Sequence, residues 1–285
     1  MVRRVQVGTK AKVPTIICGD NPNEYSFKTG GMTACFFIPR TPAKTRGTKV
    51  LRLPTGLLCC CKMEGMKYRT LRSIVRFVMK IIADIEIHGI EKLPAGNVII
   101  AANHLGRLDT AVLLCVLDRE DIIMPIAEKY KNHPIFGTIG RAANGIWLNR
   151  FETDYAALRQ ILARMEQGGL LVIAPEGTRS KTEALQEAKL GVAFLASKSG
   201  YPVLPVAVTG TEDRGIVANM KRFRRSKIVV RGGDLFTIEV SKGRGREQAM
   251  RESTDEIMCR IGALLPEKYR GVYADHPRLK ELLKN

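Results

Sequence analysis

No stretch of this 285-residue chain approaches the run of about 20 consecutive apolar residues that a membrane-spanning helix needs. The early Arg pair is followed by no apolar core of about 7 to 15 residues with a cleavage site, so a signal peptide is not expected either. Seven cysteines are present, three of them consecutive at Cys59, Cys60 and Cys61. They form no paired framework and no C-x-x-C with metal-site spacing, so we expect no metal and a reducing, cytoplasm-facing location. Acids are scarce: 28 Asp and Glu stand against 46 Lys and Arg, for a net charge of +18. Such a surface attracts polyanions and admits nucleic acid, anionic lipid and phosphorylated substrates alike. No zinc-finger spacing and no aromatic-rich ribonucleoprotein motif accompanies the charge, and no specific nucleic acid is expected.

What is present divides into four parts. Residues 1–62 hold eleven Lys or Arg against two acids, half of the excess charge. Pro, Gly and Thr are scattered through them without apolar period, which predicts a disordered basic extension or a mis-called start ahead of Met63 or Met66. Cys59 to Cys61 are candidates for acylation beside the helix that follows. Residues 63–88 contain that helix. Leu71, Ile74, Val75, Val78, Ile82 and Ile85 recur at helical spacing, with Arg69, Arg72, Arg76 and Lys80 on another face. A basic amphipathic helix of this kind can lie in the interface of an anionic bilayer, or pack its apolar face on a core. Residues 89–275 form the expected catalytic domain, and 276–285 a charged tail.

Within 89–275, apolar runs alternate with helical periods. Val98 to Ala102, Ile122 to Ala127, Gly145 to Arg150, Leu170 to Ala174, Val203 to Val208, Ile228 to Arg231 and Leu235 to Val240 read as strands. Asp154 to Gln167, with Tyr155, Leu158, Ile161, Leu162 and Met165 as its stripe, reads as a helix, as do Ala184 to Ser199 and Glu247 to Leu264. This rhythm predicts an α/β sandwich with a largely parallel central sheet flanked by helices, whose site gathers beyond the strands' carboxyl ends. His104 stands at such an end, and Asp109 opens the apolar run after it. A carboxylate on one imidazole nitrogen sets the tautomer and leaves the other nitrogen to take a proton from a hydroxyl. His104 and Asp109 are therefore candidate base and orienter. His88 has no acid at useful spacing and reads as structural.

Four stretches in order carry a resemblance. Asn103-His104 with Asp109, Gly145-Ile146-Trp147-Leu148-Asn149-Arg150, the complete Pro175-Glu176-Gly177-Thr178-Arg179-Ser180, and the strand Val203 to Val208 with Pro205 are similar to the motifs of the glycerolipid acyltransferase family. That family includes the 1-acyl-glycerol-3-phosphate acyltransferases. The resemblance implies a glycerol-3-phosphate/lysophospholipid acyltransferase-like fold over about Tyr68 to Asp275. It implies acyl transfer from acyl-CoA or acyl carrier protein to a lysophospholipid hydroxyl, without a cofactor, at the cytoplasmic face of the membrane. By the same resemblance His104 and Asp109 are catalytic, while Lys129, Arg150, Glu176, Gly177, Thr178 and Arg179 bind the acceptor. Trp147, Leu148 and Asn149 depart from the commoner Phe, Ile and Asp, which leaves lyso-ornithine lipid or glycerol-3-phosphate open as acceptors. The cluster Lys221-Arg222-Phe223-Arg224-Arg225-Ser226-Lys227 can meet anionic lipid, coenzyme A phosphates or an acidic carrier protein. A basic membrane- or nucleic-acid-binding module without catalysis is the reading from another class.

Overall fold

The computed structural model describes strands at 15–18, 24–29 and 32–37, and residues 57–284 apart from 91–92, 152–153 and 241–244. It divides into two units, Met1–Pro54 and Thr55–Asn285. In the first, β1 (Thr15–Cys18), β2 (Glu24–Thr29) and β3 (Met32–Phe37) form an antiparallel meander, with Thr15 opposite Lys28 and Glu24 opposite Phe37. These strands lie where little stable structure was expected, and the rest of 1–56 lies outside the described residues. Cys59 to Cys61 fall at the start of a helix, and their side chains also lie outside the described set.

The second unit runs α1 (Leu57–Ile82), β4 (Ala83–His88), β5 (Val98–Ala102), α2 (Asp109–Val116), β6 (Ile122–Ile123), β7 (Pro125–Ala127), α3 (Pro134–Ala142), β8 (Ile146–Leu148), α4 (Tyr155–Glu166) and β9 (Leu170–Ile173). It continues through α5 (Gly191–Ser199), β10 (Val203–Thr209), α6 (Asp213–Lys221), β11 (Ser226–Gly232), α7 (Arg246–Leu264) and α8 (Pro277–Leu282). Six strands make one sheet in the order β4-β11-β10-β5-β9-β6, in which β10 against β11 is the antiparallel step. The expected α/β fold with a largely parallel sheet is the observed one. Every residue of β5 and β10 is buried, which is why both read as unbroken apolar runs. Alternate residues feed two cores. Ile99, Ala101, Leu171 and Val203 face α4, α5 and α7. Val98, Ile100, Leu170 and Val206 share a core with Met79 of α1 and Val112 of α2.

Several boundaries moved, for identifiable reasons. The helical spacing read through Ile85 ends at Ile82, because residues from Ala83 find a strand partner in β11, Ala83 against Ser226 and Ile85 against Ile228. The inward face of α1 is also rotated from the expected one. Tyr68 and Met79 are buried, whereas Ile74, Phe77, Val78 and Ile81 are exposed. Arg72 points inward, where its Nε donates to the Leu114 carbonyl at 3.2 Å and its Nη1 meets Asp118 at 2.6 Å. The Arg76 Nη2 donates to the Cys115 carbonyl at 3.1 Å. Both guanidiniums thus serve the carbonyls that end α2, a favourable place for cations.

The strand Ile122 to Ala127 breaks at Met124: β6 stays in the main sheet, while β7, opening on Pro125, pairs with β8 in a separate ribbon. Only nine residues of Ala184 to Ser199 are helical. Before them, the Leu185 amide donates to the Tyr269 carbonyl, Gln186 to Glu176, and Lys189 to the Pro175 carbonyl, so these donors are taken by tertiary partners instead of a helix. Leu235 to Val240 makes one bridge, Phe236 to Val203, in place of a strand. Tyr155 is exposed, and Ala157, Ile161 and Met165 carry the buried stripe of α4. The charged tail 276–285 carries α8, whose Leu279 is fully buried.

Candidate active site

The site begins where β5 stops. The Asn103 side chain mimics a further ladder step: its Nδ2 donates to the Val208 carbonyl at 2.9 Å and its Oδ1 accepts from the Val208 amide at 2.7 Å. With that pair closing the β5–β10 seam, the chain turns out of the sheet at His104. The turn is fastened on both sides of His104. Its amide donates to Glu176 Oε1 at 2.9 Å, and its carbonyl accepts from the Ser180 amide at 2.7 Å.

The next turn brings Asp109 back. Gly106 sits so close to the 211 backbone that a Cβ there would lie 1.8 Å from the Thr211 carbonyl oxygen, so a side chain is excluded. Its amide donates to Asp109 Oδ2 at 3.0 Å, and the same oxygen accepts from His104 Nδ1 at 2.7 Å. Asp109 is the first residue of α2, with its charge at the helix's positive end. Its side chain is 4% exposed against 25% for His104. A carboxylate can only accept, so Nδ1 is the donor, and in the neutral ring Nε2 then keeps its lone pair. The base and orienter expected from the sequence are therefore brought together.

The second ring of residues is cationic. Arg150, two residues beyond β8, donates from Nη1 to the Gly177 carbonyl at 3.5 Å. A cavity of about 690 Å³ is bounded by Leu105, Lys129, Arg150, Thr178, Arg179 and Lys189, and a hollow of about 270 Å³ adjoins it at Lys129, Asn149 and Arg150. Gly177 has a φ of 66°, a left-handed turn, and its open face is covered by the Lys189 stem, 3.2 Å from where a Cβ would stand. Lys189 Nζ donates to the Arg150 carbonyl. Among the described residues no carboxylate pairs with Lys129, Arg150 or Lys189, which leaves three cations for an anionic ligand. Arg179 is different: its Nη1 meets Asp213 Oδ2 at 3.2 Å, and Asp213 also accepts from the Arg107 amide at 2.9 Å.

Glu176, expected among the acceptor-binding residues, is hydrogen-bonded within the protein. Read as an acceptor ligand, it is 3% exposed, and its second oxygen accepts from the Gln186 amide at 3.1 Å. Burial raises its carboxyl above the ordinary carboxylate range, against the lowering pull of these amides. Both oxygens are thus engaged within the protein, and the side chain braces the His104 turn against the 184–190 segment. Asn149 likewise faces the backbone, its Oδ1 accepting from the Phe151 amide at 3.1 Å. Lys189, Gln186 and Asp213 were missed by sequence reasoning. Asp213 alone carried a local signal, an acid at the start of a helix. Among the described residues no group of three or more His, Cys, Asp or Glu is placed to hold a metal ion, and no helix is long and apolar enough to cross a membrane.

A buried Asp holding a strand-end His beside a cationic cavity is an arrangement that can take a proton from a hydroxyl near an anionic group. The model of the family named Acyltransferase matches residues 84–209, from β4 to the end of β10, and so includes all four motifs. A Brassica napus protein, 1-acyl-sn-glycerol-3-phosphate acyltransferase BAT2, chloroplastic, is 27% identical over 157 residues, 51% of this chain and 44% of its own length. The 1-acyl-sn-glycerol-3-phosphate acyltransferase of Cocos nucifera is 28% identical over 112 residues, 38% of this chain and 36% of its own. The chain thus spans about half or less of these curated relatives. In fold it is similar to the 1-acyl-sn-glycerophosphate (LPA) acyltransferase PlsC from Thermotoga maritima, with a TM-score of 0.51 and 22% identity over 69% of this chain and 80% of that one. Over residues 84–209 the chain is thus similar to the acyltransferase family, and over a wider span it shares the fold of one such enzyme.

Proposed function

We propose that the protein transfers an acyl group from an acyl thioester, acyl-CoA or acyl carrier protein, to the free hydroxyl of 1-acyl-glycerol-3-phosphate, giving phosphatidate. The observation that carries this reading is the 2.7 Å His104–Asp109 contact beside a cavity that holds Lys129, Arg150 and Lys189. His104 Nε2 takes the hydroxyl proton while the oxygen bonds to the thioester carbonyl carbon. The tetrahedral adduct then collapses, the C–S bond breaks, and the thiolate receives the proton from the imidazolium. No acyl-enzyme is formed. Asp109 holds the ring and stabilises its transient positive charge. Arg150 and Lys129 bind the phosphate dianion, Arg150 through a planar fork suited to two phosphate oxygens. Arg179 joins them from the Asp213 side, and Gly177 and Thr178 line the approach.

The relatives named above as 1-acyl-sn-glycerol-3-phosphate acyltransferases favour this acceptor over lyso-ornithine lipid or glycerol-3-phosphate. Asn149 and Trp147 argue against neither alternative. We place the protein peripherally on the cytoplasmic face of an anionic membrane, with the exposed Ile74, Phe77, Val78 and Ile81 of α1 toward lipid. The test is acyl transfer from labelled acyl-CoA or acyl carrier protein to each of the three acceptors in anionic vesicles, with His104→Ala alongside. Phosphatidate formed by the parent and lost by 10²- to 10⁴-fold, about the usual worth of a general base, is the expected result. Full activity in a folded His104→Ala protein refutes the mechanism. No product from any acceptor, with salt-sensitive DNA affinity instead, would favour a binding module.

A further inference from the structure

The turn between α6 and β11 exposes what soluble surfaces ordinarily avoid. Val217, Met220 and Phe223 recur at a spacing of three, and they are 50%, 51% and 100% exposed. The chain closes α6 by a left-handed residue, with the Phe223 amide on the Met220 carbonyl at 3.0 Å and the Arg224 amide on the Asn219 carbonyl at 2.9 Å. Glycine or asparagine usually fills that position. Here it is Phe223, at a φ of 53°. A bulky aromatic residue in that backbone region is strained, and among the described residues nothing covers the ring.

Cations flank it. Lys221, Arg222 and Arg224 have no carboxylate partner among the described residues, while Arg225 meets Asp84 at 3.6 Å and Lys227 meets Glu86 at 3.3 Å. The topology puts this tip on the catalytic edge of the sheet. Because β11 is antiparallel to β10, its first residue, Ser226, lies at the Thr209 end, and the parallel β5 releases His104 at that same edge. From the other side, α6 starts at Asp213, on Arg107 and Arg179, and its nine residues reach the tip in about 13 Å.

We propose that this turn is a lipid-docking tip, in which Phe223, with Met220 and Val217, enters the interface of an anionic bilayer while Lys221, Arg222 and Arg224 meet its headgroups. The proposal rests on the acyl-transfer reading only in that a lipid acceptor gives the docking its purpose. Charge alone would suit an acidic protein equally well. Three exposed apolar side chains, one of them a ring held outward against backbone strain, select a bilayer. An acceptor whose hydrocarbon tail remains in the membrane has its hydroxyl brought toward His104 by a contact on this edge.

The test uses the full chain and vesicles of phosphatidylglycerol and phosphatidylcholine, with Phe223→Trp as an insertion probe and the parent's Trp147 signal as the baseline. Added indole emission that shifts blue on anionic vesicles, and is quenched by brominated acyl chains, is expected. Phe223→Ala should weaken vesicle binding about tenfold, and Arg222→Gln with Arg224→Gln roughly twentyfold at low salt. Turnover of a monomeric short-chain acceptor should stay at the parent value in all of them. An indole that stays in water while the protein sediments with vesicles overturns the proposal. So do variants that keep vesicle affinity but lose affinity for an acidic carrier protein. Vesicle binding that depends on Phe223 in a protein without acyl transfer upholds the tip and refutes the catalytic reading instead.

Discussion

Replacing Asp109 by Asn separates the charge of this side chain from its hydrogen bonds. Oδ2 accepts both from His104 Nδ1 and from the Gly106 amide, whereas Oδ1 is buried with no hydrogen-bond partner. An amide in the same rotamer can keep its oxygen on both donors and put its NH₂ where Oδ1 stood. The turn should therefore survive, and removing a charge that is 4% exposed offsets part of the cost of burying the new donors. Catalysis should not survive as well. When the imidazole becomes imidazolium, a carboxylate about 4 Å from the centre of charge stabilises it by about 4 kcal/mol at an effective dielectric of 20. His104 is a quarter exposed, and solvent screening reduces that to about 3 kcal/mol. The expected loss in kcat is thus on the order of a hundredfold. Thiol release from acyl-CoA, followed with a chromogenic thiol reagent, gives kcat, and calorimetry gives Tm. Asp109→Asn with kcat within threefold of the parent, and an unchanged fold, would refute the argument that the carboxylate's charge supports the transferred proton.

Four further outcomes follow from the same geometry. Arg150→Ala should raise the acceptor KM at least tenfold while leaving the KM for acyl-CoA near the parent value, measured by varying each substrate at saturation of the other; equal effects on both would contradict a phosphate role. Gly106→Ala has no room beside the Thr211 carbonyl and should lower stability by about 2 kcal/mol or more in urea unfolding, with activity falling alongside. Arg72→Ala strips a donor from the end of α2 and a partner from Asp118, at a cost of about 1 to 3 kcal/mol; an unchanged urea midpoint would show that these inward guanidiniums do not hold the helix. Burial pushes the Cys259 thiol and the Tyr273 phenol each up to about 12. In the unfolded chain these groups ionise near 8.5 and 10, so the native state holds more protons and stability falls as pH rises from about 8.5 toward 12. Urea midpoints that stay flat across that range would show these groups to be solvated.

The His104–Asp109 pair was legible because it is local. Five residues separate His104 from Asp109, and one turn ahead of one helix suffices to join them. The parallel sheet was legible too, since strands buried in such a sheet are apolar runs, and β5, β9 and the 203–208 stretch of β10 are. What escaped were contacts made across long separations. Glu176 looked like a ligand in its motif, but it braces a turn 72 residues away. Residues 184–190 have helical spacing, yet their amides answer to Pro175, Glu176 and Tyr269. Arg72 and Arg76 read as part of the basic face of an amphipathic helix, and only the fold sets them against the carbonyl end of α2. By itself the sequence determined the main strands of the sheet, the helices α4 and α7, the surplus of positive charge and the His–Asp pair, because periodicity, composition and short-range turns are properties of neighbouring residues. Only the tertiary structure decided which face of each helix is covered, which cations stay unpaired for a ligand and which carboxylate is structural, because a side chain's solvent and partners come from elements distant in the chain.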